Sequence, residues 1–490
     1  MNMRQPSRRR RIEYGDFQTP SELARQVCQK LIDLGVQPDA IVEPTCGLGA
    51  FVEASARAFP AAKTIIGLEI NPTYLAELEK KRRYLPHGNR ILLLEGDFFT
   101  FDWHSTLSGL DGLVLVIGNF PWVTNSQQGV IGGANLPDKV NFQNHTGLDA
   151  ITGRSNFDIS EWMLLQTAKW LQNREGYLAM LCKTAVARKF LSQLHSNRQG
   201  LSRACLYGID AKKYFGAAVD ACLLFCEFEP SKHNTDYDVY ESLGSPIHHR
   251  AGHRQGLTVR DLDAFERLSY LRGDSGIKWR SGIKHDCAEV MELQVVNGTY
   301  INGLGELVDI ETLLAFPLVK GSDVANGRVN STARALLVTQ KTPGEPTALI
   351  KHLAPKTWAY LEAHARHLDR RKSRIYKSNP RFSIFGVGPY TFAAWKIAIC
   401  GLYKGLDFRL VGPIDDRPVV FDDTVYFLSF DSQEEARHIL GILNSDPVQA
   451  FLESLIFWDE KRPIKASILN SLDLRGTEKT YTPTLLWPNE

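Results

Sequence analysis

The chain has 490 residues, a length that favours two or three domains over one compact core. A hydrophobic content of 43% and an aromatic content of 10% are typical of a folded globular protein and exclude a disordered chain. The formal net charge of +2 is nearly neutral, so any affinity for nucleic acid has to come from local basic patches.

From about Pro38 to Phe228, short apolar runs alternate with helical patterns. Six runs are predicted to be strands: AIVEP, TIIGLEI, RILLLEGD, GLVLVIGN, GYLAMLC and ACLLFCEF. Because the runs are continuously apolar, each strand is expected to be covered on both faces, and the alternation with helices predicts a parallel, doubly wound α/β sheet. Between them, helical spacing with Asp158 as a cap predicts a packing helix over Phe157–Leu171.

The stretch after Glu229 has a different texture. It is polar and rich in turn-forming residues, which indicates a linker or irregular crossover over 231–255. Beyond it lie glycine-interrupted short strands, such as RFSIFGVGPYTFAAWKIAICGLY, and a helical segment that reads SQEEARHILGILNS. This half is predicted to be a separate mixed α+β domain.

The eight cysteines are scattered, and no two have Cys-x-x-Cys spacing. Cys222 and Cys226 have even spacing, which puts both on one face of a strand, where core thiols are more common than a metal site. No apolar run is long enough to cross a membrane, and the amino terminus lacks the apolar segment of a signal peptide. We expect no metal, no membrane association and a cytoplasmic location.

The run IVEPTCGLGAFVEA indicates a ligand site. Gly47 and Gly49 follow a strand and open a helix, where the backbone can approach a ligand closely. Glu69 ends the next strand, from which a carboxylate can hold ribose hydroxyls. These features predict a nucleoside cofactor. Val52 replaces the third glycine of the dinucleotide fingerprint, which disfavours nicotinamide and flavin cofactors.

A third strand ends at Asp97 and Phe98. The carboxylate can accept a hydrogen bond from an adenine amino group and the ring can pack on the base, although an Asp here can also simply cap a turn. The ends of the three strands are predicted to line one crevice at the carboxyl edge of the sheet.

The motifs DFQTP, EPTCGLGAF, GLEINP, EGDFF and GNFPW, in that order, closely resemble those of S-adenosylmethionine-dependent DNA amino-methyltransferases of the gamma class. The resemblance extends from about Gly15 to Phe228, and more loosely to the carboxy-terminal recognition domains of that family. It implies a catalytic domain over 15–230 and a DNA target-recognition domain over 256–490. The arginine cluster near the amino terminus separately predicts a basic arm over 1–14.

The resemblance also implies roles for individual residues. Thr19 would help to hold the methionine moiety, and Glu69 would bind the ribose. The segment from Pro44 to Gly49 would cradle the cofactor through Pro44, Thr45, Gly47 and Gly49. Ile70, Asp97 and Phe98 would bind the adenine of the cofactor.

The GNFPW motif suits methyl transfer to an exocyclic amine. The side-chain oxygen of Asn119 and the backbone carbonyl of Phe120 can accept the amine protons and stabilise the developing charge. Pro121 fixes the chain direction, and Trp122 offers a flat face to a base flipped out of the duplex. By the resemblance, Phe215 is a second stacking aromatic, although core packing before a strand also accounts for it. Phe120 departs from the commonest family motif, which has proline there.

Within the family, Asn at position 119 favours adenine N6 over cytosine N4. Two other kinds of function remain open: methylation of RNA or of a protein glutamine by the same core, and DNA binding by a catalytically dead core. The preferred interpretation is a prokaryotic adenine-N6 DNA methyltransferase. The short segment before the first motif leaves no room for a nuclease domain, so a restriction endonuclease is expected to be a separate polypeptide.

One basic segment is predicted to contact DNA. Residues 351–381 contain nine Lys and Arg against two acidic residues, with aromatic residues interleaved. A solvated helix face is the alternative explanation. The predicted phosphate contacts are Arg370, Arg371, Lys372, Arg374 and Lys377.

Overall fold

A computed structural model describes residues 18–122, 159–197, 200–274 and 276–474. The chain divides into two compact units between Leu262 and Asp263. Helices and strands are numbered in chain order over the described residues. None of the helices described there is long and apolar enough to span a membrane.

The first unit alternates strands and helices, as predicted. Its strands are β1 (Ala40–Glu43), β2 (Thr64–Glu69), β3 (Ile91–Glu95), β4 (Val114–Asn119), β5 (Gly176–Lys183), β6 (Leu201–Ile209), β7 (Ala221–Phe228), β8 (Asp236–Tyr240), β9 (Ile247–Arg254) and β10 (Leu257–Val259). Its helices are α1 (Ser21–Asp33), α2 (Ala50–Ala58), α3 (Pro72–Arg82), α4 (Trp103–Ser108), α5 (Ile159–Leu171), α6 (Thr184–Ser196) and α7 (Ala211–Phe215). All six predicted strands are present, and α5 confirms the predicted packing helix; Phe157 and Asp158 lie outside the described residues.

The ten strands form one sheet in the order β10-β9-β8-β6-β7-β5-β4-β1-β2-β3. Strands β1 to β5 run parallel, but β7 is antiparallel to both β5 and β6. The predicted doubly wound, Rossmann-like α/β sheet is confirmed, with one correction: the sheet is mixed, because β7 is not parallel to its neighbours. The physical reason is the short connection through α7, since only a longer crossover returns a strand in the parallel direction.

The segment predicted as a linker, 231–255, belongs to this sheet. It forms β8 and β9, which pair with each other, and β8 also pairs with β6. Its polar composition fits strands near the edge of a sheet, because several side chains of β9 are exposed there. The first unit consequently extends to Leu262, about thirty residues beyond the predicted boundary.

Two hydrophobic cores cover the two faces of the sheet. On β4, Val114 and Val116 belong to one core, whereas Leu115 and Ile117 belong to the other. This alternation explains why the strands are continuously apolar. Cys222 and Cys226 are both buried in the first core, as their even spacing predicts.

The second unit is a mixed α+β structure with two sheets. A six-stranded sheet has the order β14-β13-β12-β16-β15-β19, and a four-stranded antiparallel sheet has the order β11-β20-β17-β18. The strands are β11 (Arg280–Ser281), β12 (Glu292–Val296), β13 (Thr299–Asn302), β14 (Leu307–Val308), β15 (Ala315–Val319), β16 (Arg334–Leu337), β17 (Trp395–Cys400), β18 (Arg409–Val411), β19 (Val420–Phe421) and β20 (Val425–Phe430).

Short helices accompany these sheets: α8 (Leu262–Arg267), α9 (Ala288–Met291), α10 (Gly321–Ala325), α11 (Ile350–Leu353), α12 (Pro355–Ala363), α13 (Ala365–Asp369), α14 (Gln433–Leu443), α15 (Asp446–Glu453) and α16 (Ala466–Leu469). The predicted late helix is α14, and the Ser432 side chain caps it by accepting from the backbone N–H of Glu434. The glycine-interrupted run around residues 381–403 contains one strand, β17.

Lys396 on β17 is a buried lysine, and its burial is expected to lower the stability of the protein. Its side chain is 1% exposed, its Nζ donates to the backbone carbonyl of Ala393 at 2.5 Å, and burial lowers its pKa to about 7. An exposed lysine in the unfolded chain keeps its proton up to a higher pH than the buried lysine in the folded chain. The free energy of unfolding therefore rises between about pH 7 and pH 10. We expect Lys396→Met to stabilise the protein by a few kcal/mol near pH 7 and by about 1 kcal/mol near pH 9.5.

Denaturant unfolding of the wild type and the variant at both pH values checks this expectation. The exposed Lys404 provides the matched control, because Lys404→Met changes the same groups without relieving burial. An equal gain at both pH values would contradict the assignment.

Candidate functional site

The carboxyl ends of the parallel strands bring the predicted site residues to one edge of the sheet. Strand β1 lies between β2 and β4, and all three run in the same direction. The connection after β1 leads to β2 on one side, and the connection after β4 leads to β5 on the other side. Doubly wound sheets bind ligands at the carboxyl edge where the connections diverge in this way. Glu43, Glu69 and Asn119 are the last residues of β1, β2 and β4.

The turn from Thr45 to Gly49 lies between β1 and α2. Gly47 and Gly49 have φ angles of +52° and +84°, in the left-handed region that glycine adopts without strain. A Cβ at Gly49 would collide with Leu78 of α3, and a Cβ at Gly47 would lie 2.6 Å from Oε1 of Gln18. Gly49 is therefore required by the local packing as well as by its conformation, whereas at Gly47 the left-handed conformation is the main reason for glycine, because the end of the Gln18 side chain can move.

Glu69 holds this turn in place. Its Oε2 accepts the backbone N–H of Gly47, and its Oε1 accepts the backbone N–H of Asn71, both at 2.8 Å. The carboxyl group is buried, with 9% of the residue exposed. The carboxylate thus fixes the glycine turn to the end of β2, at the position where the sequence predicts that it binds ribose.

Several groups fit a nucleoside cofactor at this edge. The Oγ1 of Thr45 is buried and has no hydrogen-bond partner within the described part of the chain. Ile70 follows Glu69 and is 41% exposed, which is unusual for isoleucine and suits contact with a flat ring. Asp97 is half-buried, and its Oδ1 accepts the backbone N–H of Phe99 at 2.9 Å, which fixes the direction of its carboxylate. A free hydroxyl, an exposed apolar side chain and a fixed carboxylate are the groups that a nucleoside with a polar tail requires.

Glu43 is a site residue that sequence reasoning missed. It is 3% exposed, and its Oε2 accepts the backbone N–H of Val52 in the first turn of α2 at 2.8 Å. Burial raises the pKa of its carboxyl well above the usual value, an effect that the Val52 N–H opposes and the nearby charge of Glu69 increases. The available signal was an acidic residue that ends the apolar run AIVEP.

The segment before α1 links the two halves of the site. Gln18 accepts the backbone N–H of Leu48 through its Oε1 at 3.0 Å. The next residue, Thr19, accepts from Nδ2 of Asn119 through its Oγ1 at 3.4 Å. This contact directs the amide nitrogen of Asn119 towards Thr19 and the amide oxygen away from it.

The residues that follow Asn119 anchor the turn on both faces of the sheet. The Phe120 ring is 1% exposed and belongs to the same core as Phe98, whereas Trp122 belongs to the opposite core. Trp122 is 7% exposed, and its ring meets Phe215 edge-on at 5.0 Å between centroids. The predicted stacking pair is therefore brought together, but in direct contact that leaves no space for a base between the rings.

Phe98 is 6% exposed and lies inside an aromatic cluster. Its ring contacts the rings of Phe99, Trp103, Phe120, Trp162 and Trp170. The cluster accounts for the burial of Phe98 without a ligand, and its packing on adenine stays a prediction.

In the basic segment of the second unit, residues 351–381, some of the cationic side chains are exposed and others are buried or paired. Arg371, predicted to contact phosphate, is 7% exposed, so that prediction is wrong. Its guanidinium lies 3.7 Å from the centroid of the Tyr376 ring. It also donates to four backbone carbonyls, those of Leu368, His285, Ser383 and Arg381. Lys356 and Arg381 form ion pairs with Asp309 and Asp369. The other predicted contacts are exposed: Arg370, Lys372, Arg374 and Lys377.

Within the described ranges, no three His, Cys, Asp or Glu side chains are grouped so that they could hold a metal ion.

Comparison with known proteins identifies the family, although a scan against protein-family models gives no match. The chain is 56% identical over 470 residues to the type II methyltransferase M.NspV of Nostoc sp. (strain ATCC 29411 / PCC 7524), which covers 96% of this chain and 98% of that protein. It is 32% identical over 118 residues to the type II methyltransferase M.CvrRI of Paramecium bursaria Chlorella virus XZ-6E, covering 24% of this chain and 27% of the relative. The solved structure of the type IIL restriction-modification enzyme MmeI in complex with DNA shares the fold, with a TM-score of 0.51 and 13% sequence identity. The match covers 98% of this chain and 66% of the MmeI chain. The chain belongs to the type II DNA methyltransferases of restriction-modification systems.

Proposed function

We propose that this methyltransferase modifies the N6 amino group of an adenine flipped out of duplex DNA. The observation that carries the proposal is the contact between Asn119 and Thr19, because it turns the amide nitrogen of Asn119 towards Thr19 and so gives the amide oxygen, at the end of β4, a fixed direction. An exocyclic amine is a weak nucleophile while its lone pair is delocalised into the ring. Acceptors aimed at its protons favour a nucleophilic geometry and stabilise the charge that develops.

S-adenosylmethionine, the methyl donor of this family, supplies an electrophilic methyl group on a sulfonium. The residues that would hold it are those at the carboxyl edge of the sheet. Thr19 and the turn from Pro44 to Gly49 suit the methionine moiety, and Glu69 suits the ribose. Ile70, Asp97 and Phe98 suit the adenine. In this arrangement Glu69 both binds the ligand and holds the turn that cradles it.

Trp122 and Phe215 would receive the flipped base. Because their rings now touch, they have to separate or present an outer face when the base arrives. Trp122→Ala is expected to weaken capture of the base by about 1–3 kcal/mol, the contribution of one stacking contact. A fluorescent adenine analogue at the target position measures this, since its emission rises when the base leaves the stack.

Trp170→Ala provides the control for this measurement. Trp170 is a tryptophan in the opposite core, where it packs on Phe98 and Trp103. Its loss should reduce stability without changing the fluorescence of the captured base. Equal fluorescence in the wild type and in Trp122→Ala would remove Trp122 from base capture.

The exposed cations around the buried Arg371 would contact the DNA backbone. Arg371 anchors the loop to four carbonyls, so Arg370, Lys372, Arg374 and Lys377 project from a fixed support. Combined replacement of Lys372, Arg374 and Lys377 by alanine should weaken binding to all DNA sequences. It should also reduce the slope of log affinity against log salt by about 0.9 for each phosphate contact that is lost.

Salt titrations of DNA binding check this, with Lys232→Ala as the control because Lys232 is an exposed cation of the first unit. An unchanged slope in the triple variant would place the phosphate contacts elsewhere.

Transfer of labelled methyl groups tests the proposed function. The protein is incubated with labelled cofactor and with duplex DNA, RNA or a glutamine-containing release factor, and labelled DNA is digested to nucleosides. Labelled N6-methyladenine supports the proposal, and labelled N4-methylcytosine replaces it with the cytosine reaction. Label on RNA or protein alone would refute it.

We further propose that a separately encoded endonuclease cuts the sequence that this protein methylates. Methylation would then protect the host DNA from that nuclease. Challenge of DNA from an expressing host with such a nuclease tests the pairing.

A further inference from the structure

Phe120 lies where the family resemblance has the first of two prolines. A proline fixes its own φ angle through its ring, so it stiffens the turn that carries the amine acceptors. Phenylalanine has no such constraint. The structure shows another constraint on this residue, because the Phe120 ring is 1% exposed and packs edge-on against Phe98, with 5.6 Å between centroids.

Phe98 is itself firmly held. Its backbone carbonyl accepts from Nε1 of Trp103 at 3.0 Å, and its ring contacts four further aromatic rings besides Phe120. Phe98 also lies within a closed turn, because the carbonyl of Asp97 accepts the backbone N–H groups of Thr100 and Phe101. Phe120 therefore packs on a support that has little freedom to move.

The two rings also connect the two functional turns. Asp97, predicted to bind the adenine of the cofactor, directly precedes Phe98, and Asn119 directly precedes Phe120. On the far side of Pro121, Trp122 packs in the opposite core and its Nε1 approaches the carbonyl of Leu181 at 3.4 Å. The turn from Asn119 to Trp122 is consequently anchored on both faces of the sheet.

We propose that Phe120 is a positioning residue: its buried ring, locked on Phe98, sets the position of its own carbonyl and of Asn119 relative to the bound cofactor. This inference rests on the proposed function, in which Asn119 and the Phe120 carbonyl accept the protons of the target amine. Side-chain packing thus does the work that proline does in the commonest family motif. A displacement of about 1 Å at such a site is enough to slow a reaction by up to a hundredfold.

The rate of methyl transfer in a single turnover, with saturating cofactor and DNA, tests the proposal. Phe120→Leu keeps an apolar side chain in the cluster but loses the aromatic contact, and Phe120→Ala removes the support altogether. We expect the leucine variant to transfer methyl groups about tenfold to a hundredfold more slowly. Its cofactor dissociation constant, measured by calorimetry, should stay within about twofold of the wild type, because Phe120 is not among the residues assigned to the cofactor.

Trp170→Phe is the matched control. Trp170 contacts Phe98 and Trp103 in the same cluster but lies far in sequence from Asn119. It should lower the unfolding temperature about as much as Phe120→Leu and leave the single-turnover rate unchanged. A purely structural role for Phe120 predicts the same rate in both variants, and that result would overturn the proposal.

A double-mutant cycle adds a second readout. Phe98→Leu and Phe120→Leu should be non-additive in the logarithm of the transfer rate, whereas Phe98→Leu and Trp170→Phe should be non-additive in stability only. Additive rate effects of the first pair would also overturn the proposal. Because the assay follows label into DNA whichever base accepts it, a finding of N4-methylcytosine would refute the adenine assignment and leave this test valid.

Discussion

Replacement of Asn119 by alanine is expected to abolish methyl transfer, with a loss of about a thousandfold or more in rate. The variant removes the amide oxygen that accepts the amine protons and leaves only the Phe120 carbonyl for that task. Cofactor affinity should remain nearly intact, because the hydrogen bond from Asn119 to Thr19 is long, at 3.4 Å, and Asn119 is assigned to the target amine and not to the cofactor. The measurements are the single-turnover rate and the cofactor dissociation constant by calorimetry.

Asn89→Ala is the control for this experiment, since Asn89 is an exposed asparagine in the 3-10 turn Gly88–Arg90, thirty residues before Asn119. It should transfer methyl groups at the wild-type rate. Unchanged turnover in Asn119→Ala would remove Asn119 from the mechanism and with it the observation on which the proposed function rests.

Replacement of Glu69 should weaken cofactor binding, and the structure makes this prediction sharper than the sequence does. Both carboxylate oxygens accept a backbone N–H, from Gly47 and from Asn71. Glu69→Gln would turn an amide N–H towards one of these donors, so it should be almost as damaging as Glu69→Ala. Since hydrogen bonds to charged groups contribute about 1.5–3 kcal/mol each, we expect the dissociation constant to rise at least tenfold in both variants.

Glu95 supplies the control, because it is exposed at the end of β3 and lies directly opposite Glu69 in the strand register. Glu95→Gln changes the same charge and should leave the affinity unchanged. Normal cofactor affinity without Glu69, measured by calorimetry, would refute its role in binding.

Most of the fold around the site could be predicted from sequence. The apolar runs that end at Glu43, Glu69 and Asn119 are strands, and their continuity reflects cores on both faces of the sheet. Strand direction could not be predicted in the same way, because a run of apolar residues reads alike in either direction. The antiparallel β7 is the example.

The linker error has a related cause. The residues of β8 and β9 are polar because these strands lie towards one edge of the sheet, and polarity together with turn formers is also what a linker shows. Only the pairing of β8 with β6 distinguishes the two, and pairing depends on residues distant in sequence.

Side-chain direction marks another limit. Arg370 and Arg371 are adjacent and chemically identical, yet the first is exposed and the second is buried against four carbonyls and Tyr376. A count of charges in the sequence treats them alike. The difference is set by backbone carbonyls that come together from separate segments of the second unit.

The sequence by itself determined the class of cofactor site and the candidate amine acceptor, because glycines, strand-ending acids and the GNFPW motif encode local chemistry. Only the tertiary structure decided how that chemistry is held. It showed that Glu69 fixes the glycine turn, that Thr19 orients Asn119, and that Phe120 is anchored on Phe98. Each of these contacts joins residues more than twenty positions apart, and no local pattern in the chain specifies which distant partners will meet.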